Sequence, residues 1–214
     1  MIALNNITIV AVACVRVSET LQAMRKSMSG INFFKAKLFT NEEIIDDKIE
    51  IIKIDNLDYE KYNKFIVYEL HKHIDTEYCL IVQDDGYVIN PDKWSDDFLC
   101  DYIGAPWSLP QDDFSSRDPF GNIIRVGNGG FSLRSKKLLS LPTELNMEWK
   151  PYFGYYNEDG FFSVHNRHIF EQNGCRYGTL EIASRFSFEQ EMPENKEIIP
   201  FGFHGKWCKF NNGL

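Results

Sequence analysis

Read only for its hydrophobic and polar positions, the chain falls into two unlike halves. Residues 7–15 are almost continuously apolar and rich in β-branched side chains. A strand buried on both faces reads this way, as in a parallel sheet covered by helices. Ser18 then offers a helix N-cap, and Leu21, Met24, Arg25 and Met28 follow at helical spacing up to Gly30. Residues 33–40 alternate apolar and polar and predict a second strand; residues 48–54 alternate as a third. Asp58 is placed to cap a helix running to His73, with Tyr62, Phe65, Ile66, Glu69 and Leu70 setting its faces. Residues 78–82 read as a fourth strand. The order strand, helix, strand, strand, helix, strand is that of an α/β sheet, with parallel pairing of the linked strands.

Beyond this point the pattern loosens. Most glycines and prolines lie here, with short strands predicted at 102–105, 123–126 and 130–134. One helix is predicted over 158–173, closed by Gly174 as a C-cap. No internal repeat, low-complexity tract or linker interrupts the chain. Residues 1–214 are therefore expected to form one α/β domain, with 1–90 a nucleotide-binding half and 91–214 an irregular, functional half.

Composition narrows the classes of function. With 43% hydrophobic and 14% aromatic residues in 214, a substantial core can be buried and disorder is excluded. A net charge of −8 argues against nucleic acid as partner. It does not exclude a nucleotide, whose phosphates need only a local positive site or a metal. Five scattered cysteines without a CxxC motif read as free thiols of a reducing compartment. The apolar run at 7–15 is too short to span a bilayer and lacks the flanks of a signal peptide. The expectation is a cytoplasmic protein with no membrane span.

The chemistry concentrates where the fourth strand ends. In "CLIVQDDGYVI", four apolar residues stop at Gln83, Asp84, Asp85 and Gly86. Ligands of open α/β sheets bind outside such strand ends. Two adjacent acids there repel each other, and a divalent cation is the simplest compensation; hard oxygen donors suit Mg²⁺ or Mn²⁺. A solvated turn with Asp-Gly as turn residues accounts for the same letters. Further along, "VGNGGFSLRS" sets three glycines around Asn128, "YYNEDGFF" puts Glu158 and Asp159 at a helix start, and "FGFHGKW" sets His204 and Lys206 among glycines and aromatics.

Taken in order, these stretches resemble a GT-A glycosyltransferase. They are most similar to a family of GT-A-like proteins whose core reads LIVQ-x-DG-x-V-x-NP, YIGAPW, VGNGGFSLRS and FGFHG, here residues 80–91, 102–107, 126–135 and 201–205. The match covers most of the chain. The resemblance implies a Rossmann-like GT-A domain: a mixed, mostly parallel central sheet flanked by helices, plus a small second sheet. It places Gln83, Asp84 and Asp85 at the DxD position, with Asp85 on Mn²⁺ or Mg²⁺ bridging a diphosphate. Gln83 departs from the usual acid and would bond a ribose or sugar hydroxyl. Asp84 is a further, less regular ligand. His204 would complete the metal site and Lys206 pair with the diphosphate. Ala11, Val12, Ala13, Arg16 and Thr40 would border the base and ribose, and Asn128, Gly129 and Gly130 the donor sugar or acceptor. Glu158 and Asp159 fall where inverting families carry their base, and Asp159 is favoured. The implied donor is a nucleoside-diphosphate sugar, taken to be UDP-linked, and the acceptor a glycan.

Two rivals remain open on the sequence. A nucleotidyltransferase or phosphate-ester hydrolase is disfavoured, because residues 14–29 lack a glycine-rich basic loop. A sugar- or nucleotide-binding module without catalysis would use the same aromatics, Trp107, Phe131, Trp149, Tyr152, Phe153, Tyr155 and Tyr156, for stacking. The chain's end close behind His204 also fits one domain of a longer protein.

Overall fold

The structure is a computed structural model and describes residues 1–151 and 157–211. Tyr152, Phe153, Tyr155 and Tyr156 therefore lie outside the described residues. A six-stranded sheet runs in the order β3-β2-β1-β4-β7-β6. Its first half is parallel: β1 (Ile2–Val12) pairs with β2 (Ile31–Thr40) and β4 (Tyr78–Ile81), and β2 pairs with β3 (Glu50–Lys53). Then β7 (Ser132–Ser135) lies antiparallel to β4, and β6 (Tyr102–Gly104) antiparallel to β7. A small sheet stands beside it, joining β5 (Gly86–Val88), β8 (Ser187–Phe188) and β9 (Gly202–His204) in the order β5-β9-β8.

The central strands are apolar at nearly every position because both faces are covered. Ile9 and Ala11 of β1, with Leu80 and Val82 from β4 and its end, pack under α1 (Val17–Ser27) and α6 (Leu180–Phe186). Val10, Val12, Cys79 and Ile81 point the other way, under α2 (Tyr59–Tyr68) and α3 (Lys136–Glu144). Successive side chains alternate between these faces, as the pleat requires. All five cysteines are free thiols, four of them buried. Among the described residues no helix is long and apolar enough to cross a membrane.

Several local expectations are revised. The first strand starts earlier and stops at Val12, because the Cys14 thiol takes Leu57 N at 3.3 Å and Arg16 turns the chain with φ 51°. Arg16, not Ser18, stands at the N-cap of α1. Asp58 does cap α2, accepting from Lys61 N at 2.8 Å. Residues 123–126 make only isolated bridges. The helix expected over 158–173 is three pieces: α4 (Glu158–Gly160), a wide π-turn over Phe161–His165, and α5 (Arg167–Gln172). Ser163 Oγ donates to Asp159 O and Asn166 Nδ2 to Phe161 O, so side chains take carbonyls that a continuous helix would use. Helix α3 forms although it contains Pro142, a residue that argues against a helix in the sequence.

One charge is buried inside this framework. Arg134 of β7 is fully shielded from solvent, between the rings of Tyr102 and Phe162, with its guanidinium carbon 4.9 and 5.3 Å from their centroids. Its Nη1 lies 2.5 Å from Glu158 Oε2, and its Nε donates to Ser132 Oγ at 3.1 Å. Burial opposes the charge, but Glu158, Tyr102 and Cys79 together outweigh it, so the guanidinium is held protonated. Removing one member of such a pair strands the other. Arg134→Met is expected to cost about 3–5 kcal/mol in urea unfolding. Adding Glu158→Leu should restore most of that loss; a double variant no more stable than the single would sink this account of the pair.

Candidate active site

The strand order reverses between β1 and β4, since β1 leads to β2 on one side and pairs with β4 on the other. Ligands of doubly wound sheets bind at this switch point, beyond the strand C-termini. Gln83, Asp84 and Asp85 follow β4 there. Gln83 and Gly86 exchange both backbone hydrogen bonds, at 3.0 and 3.1 Å, so the two acids occupy the tip of a tight turn. The turn reading and the site reading thus describe the same residues.

Asp84 and Asp85 do different things. Asp84 Oδ2 lies 2.9 Å from Arg16 Nε, a pair that spans the switch point from the end of β1 to the end of β4. That oxygen is buried, yet no donor hydrogen is aligned on it among the described residues. Burial and the neighbouring Asp85 raise its pKa, with Arg16 and Lys206 acting in opposition. Asp85 instead faces the small sheet: its Oδ1 is 3.6 Å from His204 Nε2, and its carbonyl accepts from Gly205 N at 2.8 Å. Burial pulls the His204 pKa down, but Glu189 and Asp85 outweigh it and the net shift is upward.

His204 is oriented from behind. Asn128 Oδ1 accepts from Gly130 N at 3.1 Å, which turns its Nδ2 toward Glu189 Oε1 (3.0 Å) and His204 Nδ1 (2.9 Å). Glu189, at the end of β8, was not singled out in the sequence; nothing in "SFEQEMPE" distinguishes it from a solvated acid.

Gly129 and Gly130 lie where the two sides meet. A Cβ on Gly130 would collide with His204 Nε2 and come within 2.7 Å of Gln83 Oε1. A Cβ on Gly129 would strike Glu158 Oε1 and stand 2.9 Å from Asp159 Cβ. Only hydrogen lets this backbone pass between the acid turn and the start of α4.

At α4 the two acids separate. Glu158 is buried in its pair with Arg134. Asp159 is half-buried and, among the described residues, forms no salt bridge; it accepts from Gly160 N at 2.6 Å. Burial, then the charge of Glu158, pushes its pKa up to about 7.

Other expected residues sit at the margin. Ala11, Val12 and Ala13 are buried in the core at the end of β1. Thr40 is buried and accepts from Glu42 N at 3.2 Å, closing a turn after β2. Lys206 is exposed, close enough for its charge to act on Asp84. Among the stacking candidates, Phe131 is core and Trp107 lies against Gly127.

The donor set suits a hard divalent cation. Asp85 and His204 are close enough to share one ion, and Asp84 Oδ2 is a buried acceptor without an aligned donor. No three His, Cys, Asp or Glu side chains among the described residues converge as a complete cage. Mg²⁺-type sites commonly use one or two protein carboxylates, with ligand phosphates filling the rest.

Comparison with known proteins agrees with the architecture. Among solved structures the fold matches a glycosyltransferase involved in glycosylation of the major capsid of PBCV-1, at 14% identity and TM-score 0.53, covering 94% of this chain and 93% of that one. It also matches an active-site mutant of LgtC, at 15% identity and TM-score 0.56, covering 97% and 91%. Such identities establish the GT-A fold. No curated protein matches the sequence. The model of a family described as "Protein of unknown function (DUF5672)" matches residues 48–204, more than half of the chain. The chain belongs to this DUF5672 family, built on the GT-A glycosyltransferase fold.

Proposed function

We propose that the protein is a metal-dependent glycosyltransferase moving a hexose-type sugar from a nucleoside-diphosphate donor, UDP-linked in this reading, to a glycan acceptor hydroxyl with inversion. The observation that carries the proposal is Asp159: a half-buried carboxyl whose pKa is pushed up to about 7, with Gly129 against it and Gly130, next along the chain, against His204. A base of that pKa suits proton removal from an acceptor hydroxyl near neutral pH. Glu158 serves it indirectly, because its charge raises the Asp159 pKa while its own carboxylate stays on Arg134.

On the opposite side, Asp85 and His204 would hold Mn²⁺ or Mg²⁺, with Asp84 adjoining. Such a cation supplies charge neutralisation at the departing diphosphate. Arg16 and Lys206 add positive charge at the same end. Gln83 Oε1, facing Gly130, is available to a sugar or ribose hydroxyl. The five free thiols accord with a reducing cytoplasm, which we include in the proposal.

Transfer from a UDP-sugar should fall at least ~100-fold in Asp159→Asn, the scale of a lost general base. Wild-type turnover should rise with pH through about 7, as the carboxylate forms, and Asp159→Asn should lose that limb. Transfer by the variant at the wild-type rate would remove Asp159 from the mechanism. Stability carries the opposite sign. A carboxyl whose folded pKa is raised contributes stability at low pH that is lost as pH rises through about 7. Asp159→Asn should therefore melt above wild type at pH 8, by a wider margin than at pH 5. For the cation, Mn²⁺ binding in the presence of UDP should weaken at least ~10-fold in Asp85→Ala, since losing even an outer-shell partner of a metal ligand costs that much. Undiminished transfer in chelator would overturn the metal assignment.

A further inference from the structure

The geometry points to two adjacent residues of α2, Tyr62 and Asn63, as positioning residues that set the strand-end Gln83 and the Glu158–Asp159 turn relative to each other. The inference rests on the reading of Asp159 as base. It adds residues that touch none of the reacting groups. Tyr62 OH accepts from Gln83 Nε2 at 2.8 Å, which commits the amide nitrogen and leaves Oε1 on the Gly130 side. Asn63 Oδ1 accepts from Glu158 N at 2.7 Å, across ninety-five positions of sequence. Its Nδ2 donates to Tyr59 O at 2.7 Å, so both halves of the amide are committed.

The need for Asn63 follows from how α4 begins. Its own N-cap, Asn157, provides no side-chain cap bond. The first N–H of a helix is an orphan donor, and here it is buried. Asn63, itself only 2% exposed, supplies the missing cap from another helix. Helix α2 is a firm platform for this. Asp58 caps it, and Ile66 and Val67 are fully buried against the sheet. One rigid helix thus holds the diphosphate side through Tyr62 and the base side through Asn63. Misplacing a catalytic group by about 1 Å can cost ~100-fold in rate.

The test compares Asn63→Ser with Ile66→Val on the same helix. Serine can bond the i−4 carbonyl of Tyr59 but is too short to reach Glu158 N. Asn63→Ser should lower kcat ~10- to 100-fold with little change in donor KM, whereas Ile66→Val leaves kcat near wild type. Amide hydrogen exchange at residues 158–160 should quicken in Asn63→Ser and not in Ile66→Val. Tyr62→Phe, which removes one hydroxyl, should act mainly on donor KM; should Asn63→Ser fail to fold, this variant and Asn63→Asp, which keeps the acceptor oxygen and the protection of Glu158 N, stand in. Equal kcat losses in the serine and valine variants, or unchanged exchange at 158–160 in Asn63→Ser, would overturn the inference. If wild type turns over no nucleotide sugar, the transferase reading fails, while the exchange comparison still decides whether Asn63 holds the turn.

Discussion

A guanidinium buried without water must find an anion, and in this fold that requirement organises the second half of the chain. Arg134 enters on a short strand, is sandwiched between aromatic rings, and is neutralised by Glu158, drawn inward. Where Glu158 goes, α4 goes. The pairing therefore fixes the next residue, Asp159, which is left in a low-dielectric setting beside a like charge. The ion pair thus accounts for the place of the turn, while burial first, and then the charge of Glu158, makes its second carboxyl a weaker acid. The two adjacent acids of the sequence part into one paired with a buried guanidinium and one whose pKa is raised.

The opposite half depends on closeness of backbone. The sheet brings the ends of β1 and β4 together at the switch point, and the Arg16–Asp84 pair closes the gap between them. The small sheet brings His204 against Asp85 by pairing Gly86 with His204 itself. Gly129 and Gly130 pass between these groups and α4. A similar economy appears at Gly104, where a Cβ would meet the carbonyl of Asn128. Small residues recur wherever a strand must lie against the loop that carries the functional groups.

Legibility in the sequence followed the range of the interactions. The parallel half was readable because its signals are local: an unbroken apolar run for β1, alternation in β2, an Asp cap on α2. The acid turn, the glycine pair and His204 were readable as motifs, and the structure gathers them. What was hidden depends on distant partners. Asn63 looks like an ordinary helix residue until Glu158 arrives from far along the chain. Glu189 looks like one solvated acid among several until β8 carries it to His204. The long helix over 158–173 was misjudged because spacing records apolar faces, whereas Ser163 and Asn166 spend their side chains on backbone carbonyls. Arg134 gave the one neglected clue: a charge within a strand of small and apolar residues implies a buried acid elsewhere.

The turn at Asp84–Asp85 carries a consequence for recognition. It is closed by the reciprocal Gln83–Gly86 bonds and tied through the Asp85 carbonyl to Gly205, so the acids and the histidine strand form a single hydrogen-bonded body. Under the proposed function, a ligand arriving here would meet donors and acceptors already in register. The ordering entropy has been met during folding, so association at this end need not wait on local rearrangement.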